Sequence, residues 1–250
     1  TNVEWTVDSL SAPQTAGISE GADVTSFTDQ FAGRAKLGNR VQKFRRDFMV
    51  SDMQEAVDSV GPAKIAQAEA KAIRELKRDI EATIAGTQDL AVENGAGVAS
   101  QLRGLGDWLD GAAGNVPAAF QTPASSIAET GTAFSETILN NLISSVFRVT
   151  GSASNLMLVA DTGLRRVIAD FARTTASATD NVRSVNYDGD SGSIKLSVDL
   201  YESDHGVVSI VNGNPDCMPA VTGGVANGSG YLVNPEYYGV HELIPMGSTR

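Results

Sequence analysis

Two histidines, His205 and His241, are the side chains best suited to proton transfer or metal ligation near neutral pH. His205 falls in Ser203-Asp204-His205-Gly206, a stretch with the composition of a hairpin turn. His241 falls in a strand-like piece of the tail. Spacing alone permits a Ser-His-Asp arrangement, but no G-x-S-x-G elbow is present, and neither is HExxH spacing. Asp188-Gly189-Asp190-Ser191-Gly192 resembles the opening of a calcium loop. It lacks the later ligands and the terminal Glu, so it reads as a turn, with a weak ion site as the lesser alternative. The glycines from Gly223 to Gly230 are not followed by Lys-Ser or Lys-Thr and read as a loop rather than a phosphate cradle. Cys217 is the single cysteine, which excludes an intramolecular disulfide and a cysteine-based zinc site. It has no basic neighbour in sequence and reads as an inert thiol. Asp161 follows the apolar run 155–160 and suits a helix N-cap, where its charge would repel an anion. No catalytic, cofactor-binding or metal residue is assigned, and no cofactor is expected.

What remains is chemistry of contact. Residues 1 to about 30 hold Glu4, Asp8, Glu20, Asp23 and Asp29 with no Lys or Arg; Trp5, Val7 and Leu10 are the large apolar anchors near the start. Such an arm needs a surface to lie on. The sign then changes, with Arg34, Lys36, Arg40, Lys43, Arg45 and Arg46 clustered together. Weak alternation through this stretch, with Gly38-Asn39 as a plausible tip, predicts two strands projecting from the body. An isolated two-stranded ribbon is marginal in water. The acidic arm, of this chain or of another copy, is a candidate support; the plainer reading is a solvated basic loop. The candidate contact residues are therefore Arg34, Lys36, Arg40, Lys43, Arg45, Arg46, Trp5, Glu4 and Asp8.

The longest helical pattern runs over 62–85, with Ile65, Ala72, Ile73, Leu76, Ile80 and Ile84 on one stripe. Ser59 and Pro62 suit its start and Gly86 its end. At 1.5 Å per residue it would span roughly 36 Å. Its narrow, alanine-rich stripe predicts a close, flat neighbour such as a sheet. The passage 95–114 contains LRGLGDWLDG, where Leu102, Leu105, Trp108 and Leu109 could make one apolar turn on a path kept irregular by glycine. Residues 115–133 read as a linker with two prolines. A second helix is predicted over 135–146, a short strand over 155–160, and a third helix from the Asp161 cap to Phe171. Alternation of Ile194, Leu196, Val198 and Leu200 with polar residues predicts a long hairpin over 193–212 with one apolar face. Tyr231-Leu232-Val233, a turn at Asn234-Pro235 and a strand-like piece over 237–243 follow.

The chain has 250 residues, room for one large domain or two intertwined ones. Its net charge of −11 argues against a protein that coats nucleic acid and suits a soluble protein, or a wall that must not stick to DNA lying beside it. No run approaches the ~20 apolar residues of a membrane helix, and no signal-peptide pattern opens the sequence. The chain reads as intracellular. It begins at Thr1 rather than Met, so a processed start is expected.

VEWTVDSL from Val3, EGAD from Glu20 and NRVQKFRRDFMVSDMQEAV from Asn39 resemble a family of tailed-phage major capsid proteins. ELKRDIE from Glu75, LRGLGDWL from Leu102, LMLVADTGLRRVIADF, LYESDHGVVSIVNGN and YLVNPEYYGVHEL continue the likeness in the expected order over nearly the whole chain. Two departures stand out. His205 occupies a place expected to be aromatic, and Asp52-Met53 replaces a smaller pair. The resemblance implies an α+β chain with the Hong Kong 97-like capsid fold. Its implied parts are an N-terminal arm (1–26), an extended β-hairpin loop (27–53) and a peripheral domain (54–115) with a spine helix over 62–85. An axial domain (116–182), a hairpin returning to the peripheral domain (183–214) and a C-terminal segment belonging to the axial domain (215–250) complete it. It further implies a non-enzymatic subunit that forms hexamers and pentamers of an icosahedral shell around double-stranded DNA, made in the host cytoplasm and found in the virion. Expected partners are further copies of the chain, a portal, scaffolding or decoration proteins, and enclosed DNA without sequence-specific binding. A nanocompartment shell around a cargo enzyme is the alternative with the same fold; a monomeric enzyme or binding domain is a third reading.

Overall fold

The computed structural model describes residues 2–57, 64–95, 97–111, 113–128, 134–171, 187–188, 193–194, 199–219 and 228–247. The chain opens with β1 (Asn2–Val7), paired antiparallel with β2 (Ala35–Arg40) so that Asn2 faces Arg40 and Val7 faces Ala35. Residues 8–34, between the two strands, are exposed throughout. Gly38 and Asn39 are therefore not a hairpin tip, as their types suggest; they lie inside β2, opposite Glu4 and Val3. The reason is close approach. A Cβ at Gly38 would sit 3.1 Å from the Val3 carbonyl oxygen and the Asn2 side chain, and Asn39 uses its amide to clamp another segment. Residues 41–50 form no second strand; the ribbon's partner strand is the chain's own beginning.

Ser51 caps α1 (Asp52–Ala56) by accepting from the Gln54 N–H at 3.2 Å. The long helix, α2, covers Lys64–Ala85 and stops before Gly86; Ser59 and Pro62, its expected start signals, lie outside the described residues. Ala72 is its buried position and the rest of its apolar stripe is half-buried. The expected sheet does not cover it. The elements packed most against α2 are α1 and the one-turn α3 (Leu105–Trp108). The 213–218 loop adds the Cys217 Sγ, 3.6 Å from the Arg78 carbonyl oxygen. The linker carries two 3-10 turns, Ala118–Phe120 and Ala124–Ser126, each beginning directly after a proline whose φ suits that start.

The main core belongs to the later part of the chain. Ser135 caps α4 (Glu136–Thr150), which runs four residues past Val146 because Gly151, at φ 71°, supplies the left-handed residue that ends it. Then come β3 (Leu156–Ala160) and α5 (Thr162–Phe171). Asp161 holds the N-cap position, its carbonyl accepting the first intrahelical bond from the Arg165 N–H at 2.9 Å, while its Oδ1 takes the adjacent Thr162 N–H rather than one of the next two. A small ribbon pairs β4 (Tyr187–Asp188) with β5 (Ser193–Ile194). Strands β6 (Leu200–Ser203), β7 (Gly206–Asn212) and β8 (Gly230–Val233) join β3 in a sheet of order β6-β7-β3-β8. β7 runs parallel to β3; the other pairs are antiparallel. Leu139 and Ile143 of α4 are fully buried against Leu156, Leu158, Val208 and Ile210, with Leu164 and Ile168 of α5 beside them. The inward face of this sheet is occupied by α4 and α5, so that face is not available to α2.

The hairpin differs from its sequence pattern. Leu196 and Val198 lie outside the described residues, as does most of 188–192. Leu200, predicted inward, is 60% exposed, while Tyr201 turns to the core. The register pairs Tyr201 with Val208, so the face occupied by Val208 also takes Tyr201. The Tyr201 hydroxyl donates to Glu136 and Asn140 of α4 at 3.1 and 3.0 Å. The hairpin thus shares one sheet with β3, whereas the resemblance placed it with the spine helix. The tail turns at Asn234, which accepts from the Glu236 N–H at 3.0 Å. The stretch 238–247 forms no strand and exposes Val240, Leu243 and Ile244. His241 is exposed there, and His205 stacks on Phe147 at 5.4 Å between ring centroids.

Candidate assembly surface

The sequence-named contact residues sit on and around the N-terminal ribbon. Lys36 pairs with Glu4 across the two strands, and this contact, chiefly its hydrogen bond, holds the Glu4 carboxyl below its ordinary range. Arg34 lies 3.4 Å from Asp8 at the other end and covers the Phe31 ring at 4.4 Å. The acidic arm thus supports the basic strand within the same chain. Beyond β2, Arg45 pairs with Asp47 at 2.7 Å, and Arg46 reaches Asp79 on α2 through Nη2 at 2.6 Å. Both arginines lower the carboxyls they touch, first by hydrogen bonding. These pairs are exposed, so their contribution to stability is small. Arg40 and Lys43 have no carboxylate partner among the described residues. The structure therefore separates the six cations into four engaged ones and two left open.

Trp5 is half-exposed and leans on Trp108 of α3, ring centroids 5.6 Å apart. It anchors the ribbon to a second, smaller core of Leu37, Ala113 and Val116, with Val7, Trp108 and Phe120 against it.

A polar seam beneath the ribbon was not legible in sequence. Asn39 accepts from the Arg103 N–H at 2.8 Å and donates to the Arg103 carbonyl at 3.1 Å. Gln42 accepts from the Leu102 N–H at 3.1 Å and from Gln88 at 3.0 Å; Ser100 donates to the Val41 carbonyl at 2.9 Å. Side chains thus replace a strand pairing here, fixing 39–42 to 100–103. Arg103 itself is 2% exposed. Its guanidinium meets Asp89 at 2.6 Å, Asp107 at 2.8 Å, the Gly114 carbonyl, and the Trp108 ring at 4.8 Å. Asp107 Oδ2 is buried and close to Arg103 but accepts no aligned hydrogen bond. Burial, then the neighbouring Asp89 charge, pushes the Asp107 carboxyl above its ordinary range, against the pull of Arg103. Burial would also raise Asp89, but the hydrogen bonds from Arg103 and Leu90, joined by the Arg103 charge and Asp107, hold that carboxyl low. The available signal was Arg103 and Asp107, four apart inside the apolar LRGLGDWL.

Tight passage over this seam depends on glycine. A Cβ at Gly104 would run into the Gly86 carbonyl, and one at Gly106 would come within 2.7 Å of Thr87 and the Tyr231 hydroxyl. That hydroxyl donates to the Ala85 carbonyl at 2.7 Å, and burial pushes its pKa up to about 12. The charge on Cys217 is likewise disfavoured, chiefly by burial, despite nearby Arg78. Native Cys217 should react with a maleimide at pH 7 at least about tenfold more slowly than in the denatured chain. Mass spectrometry of timed samples checks this; equal rates would contradict the buried placement.

No His, Cys, Asp and Glu grouping among the described residues has metal-site geometry. No helix among them is long and apolar enough to cross a membrane. What the surface offers is unfinished contact, with an exposed arm, two open cations and apolar side chains lacking cover. No curated protein matches the chain. The family model of the SU10 major capsid protein matches residues 1–250. With its full length matched, the chain belongs to the SU10 major capsid protein family, a family of phage capsid subunits.

Proposed function

We propose that this chain is the Hong Kong 97-like protomer of a tailed double-stranded DNA phage, assembling through hexamers and pentamers into an icosahedral shell. Membership of a major capsid family makes it a structural protein of the virion that builds an oligomeric shell. The finer reading rests on one observation. All of residues 8–34 are exposed, and they include Leu10, Ile18, Val24, Phe27 and Phe31. Large apolar side chains on an extended segment are unfavourable in water and suit a surface supplied by other copies. In this reading 1–26 are the arm and 27–53 the extended loop. Helix α2 is the spine of a peripheral domain over 54–115, while 116–182 and 215–250 form the axial domain, whose sheet the hairpin of 183–214 joins. Head-to-tail contacts close into rings when the rotation between copies closes. A portal and scaffolding or decoration proteins complete assembly in the host cytoplasm. The net charge of −11 discourages packaged DNA from adhering to the wall.

The test is electron microscopy and sedimentation of the purified protein. Closed particles of uniform size support the proposal, as does their loss when Arg40, Lys43 and Arg45 are all changed to Glu. Normal-sized particles from that triple variant at low and high salt would exclude a role for the basic segment. A compact 26 kDa monomer under all conditions would overturn the shell reading, and particles enclosing a cargo enzyme would indicate a nanocompartment instead.

A further inference from the structure

An open cavity of about 330 Å³ lies between the ribbon and the segment around 90–116. Its apolar lining comes from Leu37, Leu90, Val92, Val116 and Trp108. Three cations also line it, but two are satisfied: Lys36 by Glu4, and Arg103 by Asp89 and Asp107. Arg40 is the third, half-buried and without a carboxylate among the described residues. Lys43, exposed and equally open, follows three residues later. The site therefore joins apolar walls to positive charge that no carboxylate among the described residues neutralises.

A segment of matching chemistry lies in the exposed excursion. The Ala22 N–H donates to the Ser19 carbonyl at 3.1 Å, closing a turn with Gly21 at φ 77°. Glu20 and Asp23 project there, with no cation paired to either among the described residues. Ile18 and Val24 flank them, 86% and 73% exposed. Two carboxylates between two aliphatic side chains form the complement of an apolar cavity lined by Arg40, with Lys43 three residues further along the chain.

The turn does not close on the cavity of its own chain: none of residues 18–24 lines it. The excursion leaves from the Val7/Ala35 end, whereas Arg40 stands at the other end, opposite Asn2. The two ends are five residues apart, about 17 Å along the strand. The exposed turn, lining no cavity of its own chain, is left for the next copy's cavity in a head-to-tail arrangement.

We infer that the Ile18–Val24 turn of one copy docks in the Arg40 cavity of a neighbouring copy, with Glu20 and Asp23 pairing with Arg40 and Lys43. This rests on the shell reading above and names the partner of its open cations. The occupant is a second copy, identified by charge and shape rather than by a separate protein.

Two experiments test it. Changing Arg40 and Lys43 to Glu should reduce shell yield by at least about tenfold, the factor corresponding to about 1.4 kcal/mol per contact. Adding Glu20→Lys and Asp23→Lys to the same chain should restore most of that yield, since both charges are then exchanged. Independently, shells carrying Asp23→Cys and Arg40→Cys should give a ladder of disulfide-linked multimers on a non-reducing gel; Cys217 is buried and should not compete. Intact shells from Glu20→Lys/Asp23→Lys alone would overturn this docking while leaving the shell reading in place. So would failure of the charge exchange together with absent or purely intrachain disulfides. No particles from the unmodified protein would instead defeat the shell reading itself. Unchanged thermal melting of unassembled variants shows that lost yield reflects contact rather than misfolding.

Discussion

Arg103→Met should destabilise the unassembled protein by about 3 kcal/mol, read as a lower urea midpoint with little change in slope. The substitution keeps an apolar stem but leaves the buried Oδ2 of half-buried Asp107 without its counter-charge. Breaking a buried pair from one side costs about 3–5 kcal/mol. The lower end applies because the Asp89 side chain is 53% exposed and can return to water. The deficit should depend on pH. Asp107 already sits above its ordinary range, so in the native protein its contribution favours the folded state at low pH and fades as pH rises through its folded pKa. Without Arg103 its carboxyl rises further, since one opposing charge is gone. Asp89 behaves oppositely: its pairing stabilises above the unfolded carboxylate pKa and is lost as pH falls through its lowered folded value. Both effects narrow the gap between variant and native protein in acid. A gap that widened below the carboxylate range would contradict the placement of Arg103. Arg103→Met with Asp107→Leu should recover much of the loss, because both members of the pair are then replaced by apolar side chains and no unpaired charge is left under the ribbon.

Leu139→Ala should cost about 3 kcal/mol, a fall in melting temperature of roughly 9 °C for a chain of this size. Leu139 is fully buried in α4, packed in the core over the sheet. Its removal leaves a cavity that α4 cannot close, being held at Ser135 and Gly151. Leu76→Ala in α2 makes the contrast. Leu76 is only half-buried, so its loss in the unassembled protein should be about 1 kcal/mol. Comparable losses at both sites, measured by calorimetry, would show that α2 is more deeply packed than this structure has it.

Much of the local structure was legible because local rules decide it. The helix over α2 followed from the spacing of Ile65, Ile73, Leu76, Ile80 and Ile84, and its end from Gly86. The Asp161 cap, the strand before it and the turn at Asn234 followed from residue types that favour those backbone states in any context. The family likeness was legible too, because it lies in the order of many short segments. The ribbon was not. Gly38-Asn39 carries a turn signal, and only the approach of β1 and the Arg103 backbone converts it into a strand interior and a clamp. Leu200 and Tyr201 reversed faces for a related reason: alternation defines two faces, and pairing with β7 chooses which one is inside.

The order of the chain thus determined its helices, its caps, its charge segregation and its family. Tertiary structure alone decided which cations are neutralised, which residues lie under the ribbon and which surface stays open. Ion pairing and strand register depend on residues far apart in sequence, Arg103 with Asn39 or Tyr201 with Val208, and no local pattern encodes the distance between them.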